Sequence, residues 1–404
     1  MSGQRKAINI TRPADRRHAA LASTPLLLVG IALAAFNLRP AVTSMASVLG
    51  EVQHDLGASL VWASVLTAVP AVCFGLAAIG APWLNRRLRL ARAISLALVV
   101  LTCGLVLRVV GGPWVVLGGT FIATSGIAIG NVLIPVVVKQ SYPQAVGRIT
   151  GMYTSALAAG GGIAAAATPA LEPWLGGWRG AVGAWSALSA AALIIWLLGV
   201  RHSDDADGHV IVAGPRRSLF RSRVAWVVTG FFAMQSCGAY ILMGWLPEFF
   251  VSQGVARTEA GLMLAVTNLM GIPLNLVVPL LALRRTAQSG WILAVTACSM
   301  AGVLGLGVAP TAAPWVWTVL LGLGTATLPL ALGVVTLRTR LPAETAALSA
   351  MAQGFGYLIA GAGPLAFGIL HATSGSWTVP ILLLGAVTVI QGVLGWSAGR
   401  PRLV

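Results

Sequence analysis

The chain is built from a succession of apolar runs, each about twenty residues long or more, with most of its charge collected in the short connections between them. A helix needs about 20 residues at 1.5 Å each to cross the hydrocarbon core of a bilayer. Inside that core every backbone N–H and C=O must be satisfied within its own segment, so such runs fold as helices. Twelve can be placed, over 23–50, 59–84, 92–110, 113–138, 147–171, 177–200, 223–249, 258–283, 290–309, 313–337, 344–370 and 377–398. The prediction is an all-α membrane protein. Charged residues are 9% of the 404, against about a quarter in soluble domains, which excludes an ordinary soluble globule. The first run far exceeds the 7–15 apolar residues of a cleaved signal, and it is read as a true span.

The net charge of +16 does not point to nucleic acid, because the basic residues form short clusters between spans, not one basic face. Basic residues are retained on the cytoplasmic side during insertion. Arg5, Lys6, Arg12, Arg16 and Arg17 precede the first span, and Arg86, Arg87, Arg89 and Arg92 follow the second. With Lys139, Arg148, Arg201, Arg216, Arg217, Arg221, Arg223, Arg284, Arg285, Arg338, Arg340, Arg400 and Arg402 they share one side. Arg108, Arg179 and Arg257 fall opposite, and Arg39 lies within the membrane. Both termini are expected to be cytoplasmic in a multi-pass protein of the cell membrane.

The two halves repeat. At one constant offset Lys139, Pro143, Met152, Gly162, Leu171 and Trp178 match Arg338, Pro342, Met351, Gly361, Leu370 and Trp377. An offset shorter by one aligns Arg86 and Arg87 with Arg284 and Arg285. A shift of six spans preserves orientation, so the halves are parallel repeats. The organisation read from this is a basic tail at 1–22, a six-helix bundle at 23–200, a polar linker at 201–222 and a second bundle at 223–404.

Six plus six parallel helices with a basic middle loop resemble the major facilitator superfamily. The connection Asn85-Arg86-Arg87-Leu88-Arg89 is similar to that superfamily's loop signature, with asparagine in place of its usual acid. More specific words are Asn37-Leu38-Arg39-Pro40 in the first span and Gly126-Ile127-Ala128-Ile129-Gly130-Asn131 in the fourth. With Thr150-Gly151-Met152-Tyr153, Gln235-Ser236, Tyr240, Trp245-Leu246-Pro247 and Met351-Ala352-Gln353-Gly354, they resemble the cyanate and 2-nitroimidazole transporter family. The resemblance implies a secondary transporter of small anionic or polar, nitrogen-bearing solutes, with no cofactor and no nucleic-acid partner. A monomer in the lipid bilayer is expected.

Arg39 is the focus of the functional reading. An arginine at mid-membrane costs about 2.5 to 3.5 kcal/mol on insertion scales and stays charged, so its default role is to meet an anion. Counted from the start of each span, Arg39, Gln235, Tyr240, Asn268, Gln353 and Tyr357 fall at similar depth; they are candidate solute ligands together with Asn37, Asn131 and Tyr153. Each polar group also has a structural reading as interhelical glue, and Arg39 as a helix cap. Arg86, Arg87, Arg284 and Arg285 are candidate gating residues. Gly160-Gly161-Gly162 is read as a packing device, because no Lys-Ser or Lys-Thr follows it.

Cys73, Cys103, Cys237 and Cys298 lie singly in separate spans and read as small core residues. His202 and His209 bracket acids in the linker without metal-binding spacing, and no metal is expected. No Asp or Glu lies within a span away from its ends, so a buried carboxylate relay is missing and coupling to protons or a counter-anion is unexplained. Glu51, Asp55, Glu172 and Glu248 lie near outer ends, where a proton carrier or a plain exposed carboxylate are both open readings. Rival functions are a multidrug exporter, a nitrate or nitrite porter, which would be expected to carry arginines inside the second and eighth spans, and a non-transporting receptor. An enzyme is disfavoured because no catalytic constellation is present.

Overall fold

A computed structural model describes residues 25–87, 89–142, 144–200, 219–282 and 286–404. Among them the regular structure is helical. The first crossing is in two pieces, α1 (Pro25–Asn37) and α2 (Pro40–Ser47), and beyond it lies the short α3 (Leu49–Asp55). It is followed by α4 (Leu60–Arg87), α5 (Leu90–Leu107), α6 (Pro113–Ser141), α7 (Val146–Leu171) and α8 (Trp178–Val200). The second half holds α9 (Arg223–Ser252), then α10 (Arg257–Leu269) with α11 (Gly271–Ala282), and α12 (Ser289–Val308). It closes with α13 (Pro314–Gly324) and α14 (Thr327–Leu337), α15 (Pro342–Ser374) and α16 (Thr378–Ala398). Eleven crossings are long and strongly apolar. The twelfth is α7, whose 26 residues are rich in glycine and alanine.

Three of the expected single spans are interrupted, each next to a proline. Pro40 has no N–H for the carbonyl of Phe36, and its ring opposes helical geometry at the residue before it. Arg39 accordingly leaves the helix, at φ −117° and ψ −33°, and caps α2. Pro273 stands beside the break at Met270, and Pro329 beside the break at Thr325 and Ala326. Irregular backbone at membrane depth persists only where it is covered by protein or lines a cavity.

The halves meet along seams in which α4 packs against α15, α7 against α10 and α11, and α2 against α9. Their apolar contacts are unequal along the membrane normal. Toward the face that the basic residues assign to the outside, Met45, Val48, Leu49 and Trp62 of the first half share one buried cluster with Trp245, Phe249, Phe250 and Met263 of the second. The remaining large clusters are segregated: one is centred on Ile31, Leu101, Ile127 and Trp196, the other on Phe231, Leu330, Val334 and Met351. The end that holds the shared cluster is therefore shut by a continuous apolar core.

Candidate functional site

Between the halves lies a cavity of about 130 Å³, lined by Arg39 at the break of the first crossing and by residues of α7, α9, α10, α15 and α16. The breaks at Met270 and Thr325 adjoin it, and Gly271, Gly324 and Thr325 form part of its wall. On a measure where one water needs about 10–15 Å³, it has room for a ring-sized solute and not merely a triatomic ion.

Among the described residues, Arg39 is the cavity's one charged lining group. Its Nη1 donates to Asn268 Oδ1 at 3.0 Å, and no carboxylate pairs with it among the described residues. Asn268 is fixed in turn, its Nδ2 donating to the carbonyl of Leu264 at 2.9 Å. Tyr240 and Tyr357 line the same cavity. Their rings pack edge to face, with centroids 6.1 Å apart, and Phe74 backs them at 6.1 and 5.5 Å. The result is a fixed positive charge beside an aromatic wall, with neutral donors and acceptors around it.

The glycine run lets α7 approach this site. A Cβ on Gly160 would stand 2.1 Å from the Phe36 carbonyl, the one left without a helical donor by Pro40. A Cβ on Gly161 would lie 3.2 Å from the Arg39 side chain and 3.4 Å from Asn268 Oδ1.

Of the candidates read from sequence, Arg39, Gln235, Tyr240, Asn268 and Tyr357 come together on the cavity. Asn37, Asn131, Tyr153 and Gln353 do not line it. Asn37 is buried and donates to the carbonyl of Leu33, and Gln353 donates to Ser349 Oγ at 2.8 Å on its own helix. Tyr153 packs against the core of the first half, and Asn131 is half-buried on α6. Arg86 and Arg87 end α4, and Arg284 and Arg285 lie outside the described residues. The cavity adds Ser236, Asn275, Ser299, Thr325 and Gln391. Gln391 is a lone amide in the middle of the last span, the kind of signal that marks a wall position.

Arg108 is a second intramembrane cation that the sequence reading does not single out. Placed by the sequence on the side opposite the basic clusters, it is fully buried, donating to the Ala41 carbonyl at 2.5 Å and to Ser44 Oγ at 3.1 Å. It caps the C-terminus of α5, where a cation suits the helix dipole, and braces α2 directly beyond the break that carries Arg39.

The Major Facilitator Superfamily model matches residues 26–361. The chain is 32% identical to the 2-nitroimidazole transporter of Escherichia coli (strain K12), over 93% of this chain and 96% of that one. It is 28% identical to the cyanate transport protein CynX of the same organism, over 87% and 91%. In fold it is similar to a bacterial homolog of the human lysosomal transporter Spinster, crystallised inward-facing and occupied, with a TM-score of 0.74 at 15% identity, covering 92% of this chain and 96% of that chain. With its helical crossings, its paired halves and a cavity between them, the chain is a multi-pass membrane transporter, not an enzyme, and belongs to the Major Facilitator Superfamily.

Proposed function

We propose that this transporter moves a small anionic or polar, nitrogen-bearing solute across the cytoplasmic membrane by alternating access, with both termini in the cytoplasm and Arg39 anchoring the charge. The observation that carries the reading is the Arg39 guanidinium: it faces the cavity between the halves, held by a neutral amide and without a carboxylate partner among the described residues. A permanent charge in a low-dielectric site attracts an anion far more strongly than it would in water. Gln235, Tyr240 and Tyr357 are the groups that orient the solute. The aromatic wall and the cavity's size favour a planar, ring-bearing molecule of the nitroimidazole kind, with a cyanate-like anion as the smaller alternative.

The test is solute binding and flux in proteoliposomes, with a panel of azoles, nitroaromatics, aromatic carboxylates and small inorganic anions. Arg39→Ala is expected to abolish binding of anionic members. Arg39→Lys keeps the charge but loses the planar fork and is expected to restore only part of it. Undiminished binding of every anion by a correctly inserted Arg39→Ala protein overturns the reading.

A further inference from the structure

The outer seam carries a cluster of charges that the central cavity does not use. Arg257, the first residue of α10 in the second half, pairs with Glu51 of α3 in the first. The same guanidinium lies 3.7 Å from Glu172, which caps the end of α7. Glu248 of α9 presses on the backbone of Gly50, where an added Cβ would meet its Oε2 at 2.4 Å. Two carboxyls thus converge on one arginine across the boundary between the halves, with Glu248 beside Gly50 nearby, over the apolar core that shuts this end.

Two observations show that this is more than a set of surface ion pairs. Glu51 and Glu172 both reach the single Arg257 guanidinium, so two like charges share one counter-ion and a proton on one of them relieves their repulsion. Glu172 Oε1 is buried with no hydrogen-bond partner among the described residues, at a helix C-terminus where the dipole opposes negative charge.

We propose that Glu51 and Glu172, clasped by Arg257, form a proton-binding site that latches the outer gate: a proton taken from the outer solution seals the seam, and its loss lets the halves part.

The sign follows from the surroundings. Burial, followed by the hydrogen bond and charge of Glu51, pushes the Glu172 carboxyl up to about 7, and Arg257 opposes this with a smaller effect. Opening the seam hydrates Glu172 and returns it toward the ordinary carboxyl range, even though α10 takes Arg257 away. The closed form therefore holds the proton more tightly, and closure is favoured below neutral pH and released as pH rises through about 7. The other charged or titratable groups near the cluster are Glu248 with His371 behind it on α15. Further out, Asp55 is engaged by Trp178 and Arg179, and Glu259 accepts from Trp315. His54 is exposed beside Asp55.

The inference assumes alternating access but not the identity of the solute. The full chain, with its four cysteines replaced, is labelled with spin probes at Ser59→Cys and Ser252→Cys, exposed positions on opposite halves of the outer face. Distances are measured by pulsed electron resonance in nanodiscs between pH 5.5 and 8.5. The expected result is a long-distance population that grows with pH around neutrality, by at most tenfold in the closed-to-open ratio per unit for one proton. Glu172→Gln, which mimics the protonated acid, is expected to stay closed at every pH. An unchanged wild-type distribution across the range, or a Glu172→Gln protein that keeps the wild-type response, overturns the proposal. Solute affinity measured on the same samples reports on Arg39 separately, so a failure of the transport reading is told apart from a failure of the latch.

Discussion

Arg39 and Asn268 meet across the boundary between the halves, with Nη1 and Oδ1 3.0 Å apart. The amide holds the guanidinium without neutralising it. Replacing it with a carboxylate supplies a permanent counter-ion, so Asn268→Asp is expected to weaken binding of anionic solutes by about 100-fold or more. Asn268→Ala loses only orientation, worth about 1 to 2 kcal/mol or roughly tenfold. Calorimetric titration of both variants measures the difference, and equal losses would contradict an anchor that works by charge.

Gly160→Ala places a methyl 2.1 Å from a backbone oxygen, which cannot swing aside as a side chain can. Overpacking of this kind costs about 1 to 3 kcal/mol and is expected to lower the melting temperature and disable transport together. Gly183→Ala is the control, since its nearest neighbour is the Val109 side chain at 3.6 Å and alanine is the better helix former. Thermal unfolding in detergent separates the two; similar melting temperatures would mean that α7 does not depend on close approach.

Arg108→Ala removes two charge-assisted bonds to α2 and is expected to destabilise the protein by about 2 to 3 kcal/mol. Arg108→Met fills the same space without a buried charge and should lose less, because the desolvation of the guanidinium disappears with it. If the alanine form melts with the wild type, the brace is not one.

Asp55 supplies a pH control. A hydrogen bond from the Trp178 indole, then the Arg179 guanidinium, holds its carboxyl below the usual aspartate range. Any stability from this depressed group is present above the ordinary value near 4 and is lost only as pH falls through the lower one. Asp55→Asn is therefore expected to leave the response of the outer gate between pH 6 and 8 unchanged, as read from the same spin-label pair. A shifted midpoint would move the latch from Glu172 to the outer surface.

The membrane crossings, the repeat of the halves and the role of Arg39 as an intramembrane charge are all legible in sequence, because apolar length and the cost of a buried ion are local properties. Counting from the start of a span also gives the height of Gln235, Tyr240 and Tyr357. It does not give the direction a side chain faces, since a helix apolar all round has no polar face to set its phase. That is why Asn37 and Gln353, at plausible depth, turn out bonded along their own helices. Pro40, Pro273 and Pro329 carry the signal for the interrupted helices, although proline within a span is common enough that only packing reveals which ones yield. The Glu51, Glu172 and Arg257 cluster joins residues far apart in the chain, and no local pattern announces it.

Among the described residues, the first half supplies to the cavity wall only Arg39, Leu157 and Ala158, and the second half supplies the rest. Sign and shape are thus written in separate stretches of the chain. With Arg39 as the proposed anchor, substitutions after the linker would retune which molecular outline is accepted while a single upstream codon kept the charge, so one scaffold could diversify its cargo without rebuilding its attraction to it.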